Sequence, residues 1–299
     1  MKEIGLIGLG KMGLNLIQNI KNNGFEPIGF DINQGNYPDL KAKFIKTTPT
    51  LKDLINNISK PRNIIMLVPS GKITKTIFDE LLNLLDEGDC IIDAGNSFYK
   101  DSINKYKVAK SKNINFVDCG TSGGQSGALN GVCLMVGGET QVVKSLEEFF
   151  KAISVTDGYL HTGNPGSGHF CKMIHNGIEY GMMQSIAEGY ELLKNSEFNF
   201  DYASVSKVWN NGSVIRSWLI ELMYDIFKQN KDLDDISDVV NMNGEGLWTV
   251  EEALRQGTPT PTIALSVMIR QISQQDKSFA GKVLASLRFA FGGHEIYKK

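Results

Sequence analysis

The sequence of 299 residues has few of the side chains that mark metal centres and disulfide frameworks. Its four cysteines show no C-x-x-C spacing, and its four histidines form no metal-binding pattern. We therefore expect no metal ion. We interpret the thiols of Cys90, Cys119, Cys133 and Cys171 as buried groups of a protein from a reducing compartment.

Long apolar runs and a surplus of one charge are also missing. No run approaches the roughly 20 residues of a membrane span, and the N-terminal Met-Lys-Glu leads directly into a strand-like run, which predicts no signal peptide. The 31 basic and 33 acidic side chains give a net charge of −2, so we expect neither nucleic acid nor a membrane as partner. These patterns predict a cytoplasmic protein, in which local basic side chains could still bind a small anion.

The length allows about two domains, and the patterns of the two halves differ. Strand and helix patterns alternate up to about Gly163, and only helical spacing follows the long segment that begins near Gly166. We predict an α/β Rossmann-type dinucleotide-binding domain at residues 1–164, followed by an all-α domain at residues 165–299.

A glycine-rich turn follows the first predicted strand. Gly8-Leu9-Gly10-Lys11-Met12-Gly13 lies between a strand and a helix, and Asp31 ends the next strand about 20 residues later. This order is typical of dinucleotide binding, because the glycines allow close backbone approach to a pyrophosphate at a helix N-terminus. A carboxylate at Asp31 can bind the ribose hydroxyls of NAD and would repel the 2′-phosphate of NADP. We therefore expect NAD rather than NADP.

The loops at residues 68–71 and 94–97 also follow predicted strands, so we expect them beside the cofactor. Asn96 is the most useful polar side chain there, although an N-cap of the next helix would explain it equally well. The residues predicted to bind the dinucleotide are Gly8, Gly10, Lys11, Met12, Gly13, Asp31, Val68, Pro69 and Asn96.

Gly120-Thr121-Ser122-Gly123-Gly124-Gln125-Ser126-Gly127 is interpreted as a turn after another strand. Its clustered N–H groups and hydroxyls suit a carboxylate or hydroxyl of a substrate, and we favour binding over a merely flexible turn.

Chemically able side chains share one stripe of the long helix predicted from about Gly168 to Lys194. Lys172, Asn176 and Glu179 fall within roughly 60° of one another at 3.6 residues per turn, and His175 and Tyr180 flank them. A solvated helix face is the alternative. The separate apolar stripe of the same helix favours a functional site.

With these motifs, the chain resembles the decarboxylating 6-phosphogluconate dehydrogenases of the β-hydroxyacid dehydrogenase group, and it resembles their short form with a single helical domain. The resemblance runs from end to end and is most specific at Lys172-Met173-Ile174-His175-Asn176-Gly177-Ile178-Glu179-Tyr180. It implies Lys172 as general base and Glu179 as general acid, and it adds Asn176, which matches a position that holds the sugar acid, to the catalytic set. The residues it implies for substrate binding are Asn96, Ser122, Gly123, Gly124, His175, Tyr180, Arg270, Arg288 and His294.

The implied reaction converts 6-phosphogluconate to ribulose 5-phosphate and CO₂ with reduction of NAD and without a metal. The resemblance also implies a homodimer or homotetramer, in which Arg288 and His294 reach a neighbouring subunit's site. Two positions depart from the family pattern. Leu247 stands where long members have a phosphate-binding lysine, and Asp31-Ile32-Asn33 replaces an Asn-Arg-Thr that grips NADP. Two alternatives therefore stay open: an NAD-dependent dehydrogenase of another small 3-hydroxy acid, such as 3-hydroxyisobutyrate, and a nucleotide-sensing module without catalysis.

Overall fold

The computed structural model describes residues 2–297. The chain forms two compact units, Met1–Asn176 and Gly177–Lys299. The predicted boundary between residues 164 and 165 stays a prediction, because the long helix α9 (Ser167–Lys194) belongs with its first part to one unit and with its remainder to the other.

The first unit is an α/β structure. Its strands are β1 Glu3–Ile7, β2 Glu26–Phe30, β3 Lys46–Thr47, β4 Asn63–Met66, β5 Cys90–Asp93, β6 Asn115–Ser122, β7 Val132–Gly138 and β8 Ser154–Gly163. Its helices before α9 are α1 Lys11–Asn22, α2 Tyr37–Ala42, α3 Leu51–Asn56, α4 Lys72–Leu84, α5 Tyr99–Lys110, α6 Gly124–Asn130, α7 Thr140–Ser145 and α8 Glu147–Ile153. A 3₁₀ turn at Gln34–Asn36 precedes α2.

All eight strands form one sheet in the order β3-β2-β1-β4-β5-β6-β7-β8. Every neighbouring pair is parallel except β6 and β7, which are antiparallel. The chain order reverses between β1 and β4, and in open α/β sheets this is where ligands bind, beyond the carboxyl ends of the strands. The topology thus confirms the predicted Rossmann-type fold.

Both faces of the sheet are covered by apolar layers, as a largely parallel sheet requires. Leu6 of β1 belongs to the layer that contains Ile17 of α1, and its neighbour Ile7 belongs to the opposite layer with Phe78 of α4. This alternation explains why the strands appear in the sequence as continuous apolar runs.

Parts of the first unit were not predicted from the sequence. The segment after β7 contains two short helices, α7 and α8, separated at the buried Leu146. The turn predicted at residues 120–127 is a strand that continues to Ser122 and a helix that begins at Gly124. Helices α2, α3 and α5 were missed, and so was the two-residue strand β3.

The second unit is helical, which confirms the predicted all-α part. After α9 it contains α10 Tyr202–Asn210, α11 Trp218–Gln229, α12 Glu245–Gln256, α13 Pro261–Ser273 and α14 Phe279–Gly292. Residues 232–238 form no helix or strand. Every residue of helix α14 is described, and none of its side chains is buried. In the part of the chain that the structure describes, no helix is long and apolar enough to cross a membrane.

Candidate active site

The glycine-rich turn joins β1 to α1 at the switch point of the sheet. A Cβ on Gly8, whose φ is +97°, would lie 2.3 Å from the carbonyl oxygen of Leu67, and a Cβ on Gly13 would lie 1.9 Å from the carbonyl oxygen of Gly8. These two glycines are therefore required for closure of the turn. A Cβ on Gly10 would meet no atom within 4 Å, so open space lies beside the middle of the turn.

Asp31 fixes the end of β2 against this turn. Its Oδ2 accepts a hydrogen bond from the N–H of Leu9 at 2.5 Å, and its Oδ1 accepts one from the N–H of Asn33 at 2.7 Å. The sequence pattern predicted the carboxylate beside the glycine turn, but the hydrogen bond from within the turn was not foreseen.

The loops that follow β4 and β5 lie side by side. A Cβ on Gly95 would be 2.8 Å from the carbonyl oxygen of Val68, which brings Asn96 to the same edge as Val68 and Pro69. Asn96 is exposed. The N-cap of α5 is Phe98, so Asn96 does not cap that helix and the competing explanation for it is wrong.

The predicted Ser122-Gly123-Gly124 turn has a defined structure. Thr121 and Ser122 remain paired with Leu134 and Cys133 in the antiparallel β6–β7 ladder. Gly123 adopts φ +115° as the N-cap of α6, a conformation that favours glycine. The strand thus holds Ser122 in place, and the sharp change of direction occurs at Gly123.

Four predicted side chains meet where α9 passes the end of β6. Nζ of Lys172 donates to Oδ1 of Asn176 at 2.8 Å and lies 3.4 Å from Nδ1 of His175. Nδ1 of His175 lies 2.9 Å from the same amide oxygen, and Nε2 of His175 lies 3.3 Å from Oγ of Ser122. Lys172 and Asn176 are buried, at 6% and 5% exposure. The structure therefore brings together an amine, an amide, an imidazole and a hydroxyl.

The start of α9 is anchored by a carboxylate that the sequence analysis missed. Asp118 of β6 is fully buried, and its two oxygens accept hydrogen bonds from the N–H groups of Gly166 at 2.6 Å and His169 at 2.8 Å. A carboxylate satisfies donors that a helix N-terminus leaves without intrahelical partners and is favoured there by the helix dipole. The available signal was an acidic residue inside an apolar strand, which requires a partner when buried.

Close packing places Lys172 over the sheet. A Cβ on Gly120 would lie 2.4 Å from Cβ of Lys172, and a Cβ on Gly168 would lie 2.5 Å from the carbonyl oxygens of Asp118 and Met135. Only glycine at these two positions allows α9 to approach β6 and β7 so closely.

In the second unit, Tyr180 and Arg270 are in contact. The guanidinium carbon of Arg270 lies 3.5 Å from the centre of the Tyr180 ring, a cation–π arrangement. The Tyr180 hydroxyl donates to Oδ1 of Asn243 at 3.1 Å, and Arg270 donates to the carbonyl oxygen of Asn241 at 3.3 Å. Leu247 lies on α12 and is partly exposed.

Glu179 lies on α9, seven residues after Lys172. Arg288 lies on α14 and His294 follows it, and both side chains are exposed. The ring of His294 packs edge-on against Phe291, with centres 6.1 Å apart. The structure of one chain gives these two residues no common binding partner among residues 2–297.

The thiols differ from the sequence-based interpretation. Cys90 and Cys119 are buried, which raises the pKa of each thiol to about 12. Cys133 is exposed and Cys171 is half-buried, so the description of all four as buried was wrong. Cys133 is the second residue of β7, close to the end of α6, and its side chain is exposed whereas Val132 and Leu134 beside it are buried. Among residues 2–297, no group of three or more His, Cys, Asp or Glu side chains could hold a metal ion.

Comparisons with known proteins agree along the whole chain. A family model described as the NAD binding domain of 6-phosphogluconate dehydrogenase matches residues 3–163, and the model of the 6-phosphogluconate dehydrogenase C-terminal domain matches residues 168–289. A Bacillus subtilis protein, YqeC, provisionally described as a 6-phosphogluconate dehydrogenase, is 48% identical over 297 residues, which are 99% of this chain and 100% of that protein.

A Haloferax volcanii protein described as an NAD(+)-dependent, decarboxylating 6-phosphogluconate dehydrogenase is 38% identical over 299 residues, 99% of each chain. The solved structure of Plasmodium falciparum 6-phosphogluconate dehydrogenase is similar with a TM-score of 0.83 and 31% identity; the match covers 99% of this chain and 66% of that one. This chain thus spans about two thirds of the length of the Plasmodium protein. Because both family models and relatives of full length match it, the chain belongs to the 6-phosphogluconate dehydrogenase family.

Proposed function

We propose that this protein catalyses the oxidative decarboxylation of 6-phosphogluconate to ribulose 5-phosphate and CO₂, with reduction of NAD. The observation that carries the proposal is the cluster in which the buried Lys172 and Asn176 meet the half-buried His175 and Ser122. Support comes from the Haloferax relative, whose description names the same reaction type and coenzyme over 99% of both chains.

The glycine-rich turn fits a dinucleotide. Gly10 has open space where a Cβ would lie, and among the described residues no side chain caps the N-terminus of α1. The first turn of α1 carries no acidic residue and begins with the exposed Lys11. Free N–H groups and the positive end of the helix dipole favour the pyrophosphate there. The backbone from Gly10 to Gly13 would bind it, with Val68, Pro69 and Asn96 beside the nicotinamide half.

The preference for NAD rests on Asp31. Its carboxylate already accepts two backbone hydrogen bonds and retains acceptor capacity for ribose hydroxyls. A 2′-phosphate would place a second negative charge beside it, and the next residues, Ile32 to Gly35, supply no cation.

Lys172 is the proposed base. When its amine is neutral, it takes the proton of the C3 hydroxyl while the hydride leaves C3. Burial disfavours the charged form of a lysine, which suits a base working near neutrality. Asn176 orients the amine through its 2.8 Å hydrogen bond, and His175, Ser122 and the backbone of Gly123 and Gly124 hold the sugar acid. Bound NAD supplies the hydride acceptor.

Loss of CO₂ follows from the same arrangement. The product of oxidation is a β-keto acid, and the protonated Lys172 polarises its C3 carbonyl so that the bond to the carboxylate breaks. Glu179 then protonates C1 of the enediol. At 3.6 residues per turn, Lys172 and Glu179 lie about 20° apart around the axis of α9 and about 10 Å apart along it, so two long side chains can reach neighbouring carbons.

Recognition of the phosphate is assigned to Tyr180 and Arg270, whose contact keeps the guanidinium beside the ring. We further propose a homodimer or homotetramer in which α14 reaches a second copy and delivers Arg288 and His294. Support comes from its exposed apolar side chains, among them Phe279, Leu284 and Phe291 at 62–78% exposure, since contiguous exposed apolar surface typically marks an interface.

The test is formation of NADH and CO₂ from 6-phosphogluconate, with unphosphorylated gluconate and 3-hydroxyisobutyrate as competing substrates and with NADP in place of NAD. We expect turnover with 6-phosphogluconate and a higher kcat/KM with NAD than with NADP. Turnover of 3-hydroxyisobutyrate alone would favour the other dehydrogenase, and NAD binding without CO₂ release would indicate a sensor. Higher efficiency with NADP would overturn the role given to Asp31.

Variants test the two catalytic assignments. Lys172→Met should abolish oxidation, and Glu179→Gln should keep the fold but strongly lower turnover. The matched controls are Lys194→Met and Glu188→Gln, exposed positions on the same helix, which should turn over as the wild type. A near-normal rate in Lys172→Met would refute the assignment of the base.

A further inference from the structure

Helix α5 touches two parts of the candidate site within the first unit. It begins at Tyr99, three residues after Asn96. Lys105 of this helix contacts Asp93 beside the loop that carries Asn96, and Ser102 contacts the start of α9, which carries Lys172.

The first contact is a buried ion pair. Nζ of Lys105 lies 2.6 Å from Oδ2 of Asp93, and these side chains are 12% and 1% exposed. The same oxygen accepts a hydrogen bond from the Ser97 hydroxyl at 2.9 Å, and Oδ1 accepts one from the N–H of Gly95 at 3.3 Å. Asn96 therefore lies between two residues that are both bound to Asp93.

The second contact holds α9. Oγ of Ser102 lies 2.6 Å from Nδ1 of His169, and both side chains are at most 1% exposed. His169 is three residues before Lys172, and the next residue, Phe170, packs edge-on against Tyr99 with ring centres 5.0 Å apart. A buried polar pair of this kind fixes position because either group alone would lose its hydrogen bond.

We propose that α5 positions two parts of the candidate site. Lys105, together with Ser97 of the preceding loop, fixes the loop that carries Asn96, and Ser102 fixes the helix turn that carries Lys172. The proposal rests on the function assigned to Asn96 and Lys172 above. Ser102 and Lys105 are three residues apart, neighbours on one helix surface, so one rigid element sets both groups at once. These residues act through Asn96 and Lys172 and touch no substrate themselves.

Two substitutions test the two positioning roles separately. Ser97→Ala should raise the KM for coenzyme and substrate by about tenfold and weaken NADH binding, with little change of kcat. Ser102→Ala should lower kcat by about 10- to 100-fold, because small misplacement of a catalytic group has effects of that size, and should leave the Kd for NADH within about twofold of the wild type. NADH fluorescence gives the Kd, and NADH formation from 6-phosphogluconate gives kcat and KM.

Ser111→Ala is the matched control, since Ser111 is exposed just after α5 and its hydroxyl donates to the carbonyl oxygen of Val108. It should behave as the wild type. Lys105→Met should reproduce the effect of Ser97→Ala more strongly, whereas Lys107→Met, at an exposed position of the same helix, should have no effect. If Lys105→Met does not fold, Lys105→Arg replaces it, and its restored ion pair should give kinetics close to the wild type.

A purely structural role predicts a different result: lower thermal stability in both serine variants with unchanged kcat, KM and Kd. That result would overturn the proposal, and so would the same kinetic split in Ser111→Ala. If the wild type does not turn over 6-phosphogluconate, the proposed function fails by itself. In that case the Kd for NADH tests the positioning role, and equal Kd values in Ser97→Ala and the wild type overturn it.

Discussion

Gly120 lies directly beneath Lys172, the proposed base, so Gly120→Ala tests the geometry of the site without removing a proposed catalytic group. The added Cβ would lie 2.4 Å from Cβ of Lys172 and 2.9 Å from the carbonyl oxygen of Gly168. Carbon atoms in contact are about 3.5–4.0 Å apart, so α9 must move from β6 by roughly 1 Å. Gly120 is not among the glycines with positive φ, so alanine is compatible with its backbone and the effect comes from the contact alone.

This displacement sets the expected magnitudes. Overpacking of a close contact lowers the free energy of unfolding by about 1–3 kcal/mol. Moving Lys172 by about 1 Å from Ser122 and the bound substrate should lower kcat by about 100-fold. The change of rate should therefore exceed what partial unfolding could explain.

The assay combines NADH formation with urea unfolding followed by far-UV circular dichroism. Tryptophan emission is unsuitable, because Trp209, Trp218 and Trp248 all belong to the second unit. Gly189→Ala on α9 is the control: its Cβ would meet no atom within 4 Å, so it should raise stability by up to about 1 kcal/mol and leave kcat unchanged. A wild-type kcat in Gly120→Ala would refute the reasoning that Lys172 acts from a fixed position against β6.

Three other predictions concern Asp118, the cysteine thiols and Arg270. Asp118→Asn should lower the free energy of unfolding by about 3 kcal/mol in the same urea assay, because one charge-assisted acceptor at the start of α9 is lost; an unchanged midpoint would contradict this. In the folded protein at neutral pH, a thiol reagent should label Cys133 first and reach Cys90 and Cys119 only on unfolding, because their pKa of about 12 keeps them protonated; mass spectrometry of the labelled peptides checks the order. Arg270→Met should raise the KM for 6-phosphogluconate roughly tenfold but not that for gluconate, and an equal change for both substrates would remove the phosphate role.

The sequence allowed prediction where local order alone determines the structure. The glycine turn and Asp31 are separated by one helix and one strand, and that order alone predicted that they lie side by side, although not the hydrogen bond from Leu9. The same holds for Lys172 and Asn176, because residues four apart on a helix are neighbours. These predictions needed no knowledge of the tertiary structure.

Helix α5 escaped prediction for a physical reason. Its sequence, Tyr99 to Lys110, contains few apolar residues, and only Ser102 and Ala109 are buried. It is held largely by polar contacts to Asp93 and His169, and such partners, distant in sequence, leave no apolar periodicity to detect. The role of the Asp118 carboxylate was missed for the same reason, because the N–H groups that donate hydrogen bonds to it lie 48 and 51 residues further along the chain.

The segment around Ser122 shows how the partner strand decides local structure. Glycine, serine and threonine favour a turn by their own preferences, yet residues up to Ser122 stay extended because β7 runs antiparallel beside them and pairs with Leu134 and Cys133. A hydroxyl on a paired strand has a fixed position, whereas one on a flexible turn would lose conformational entropy on binding substrate. The 3.3 Å separation between Ser122 and His175 is therefore set by the paired strand and by α9 in the protein without substrate, and such preorganisation is what the proposed binding of a sugar acid would require.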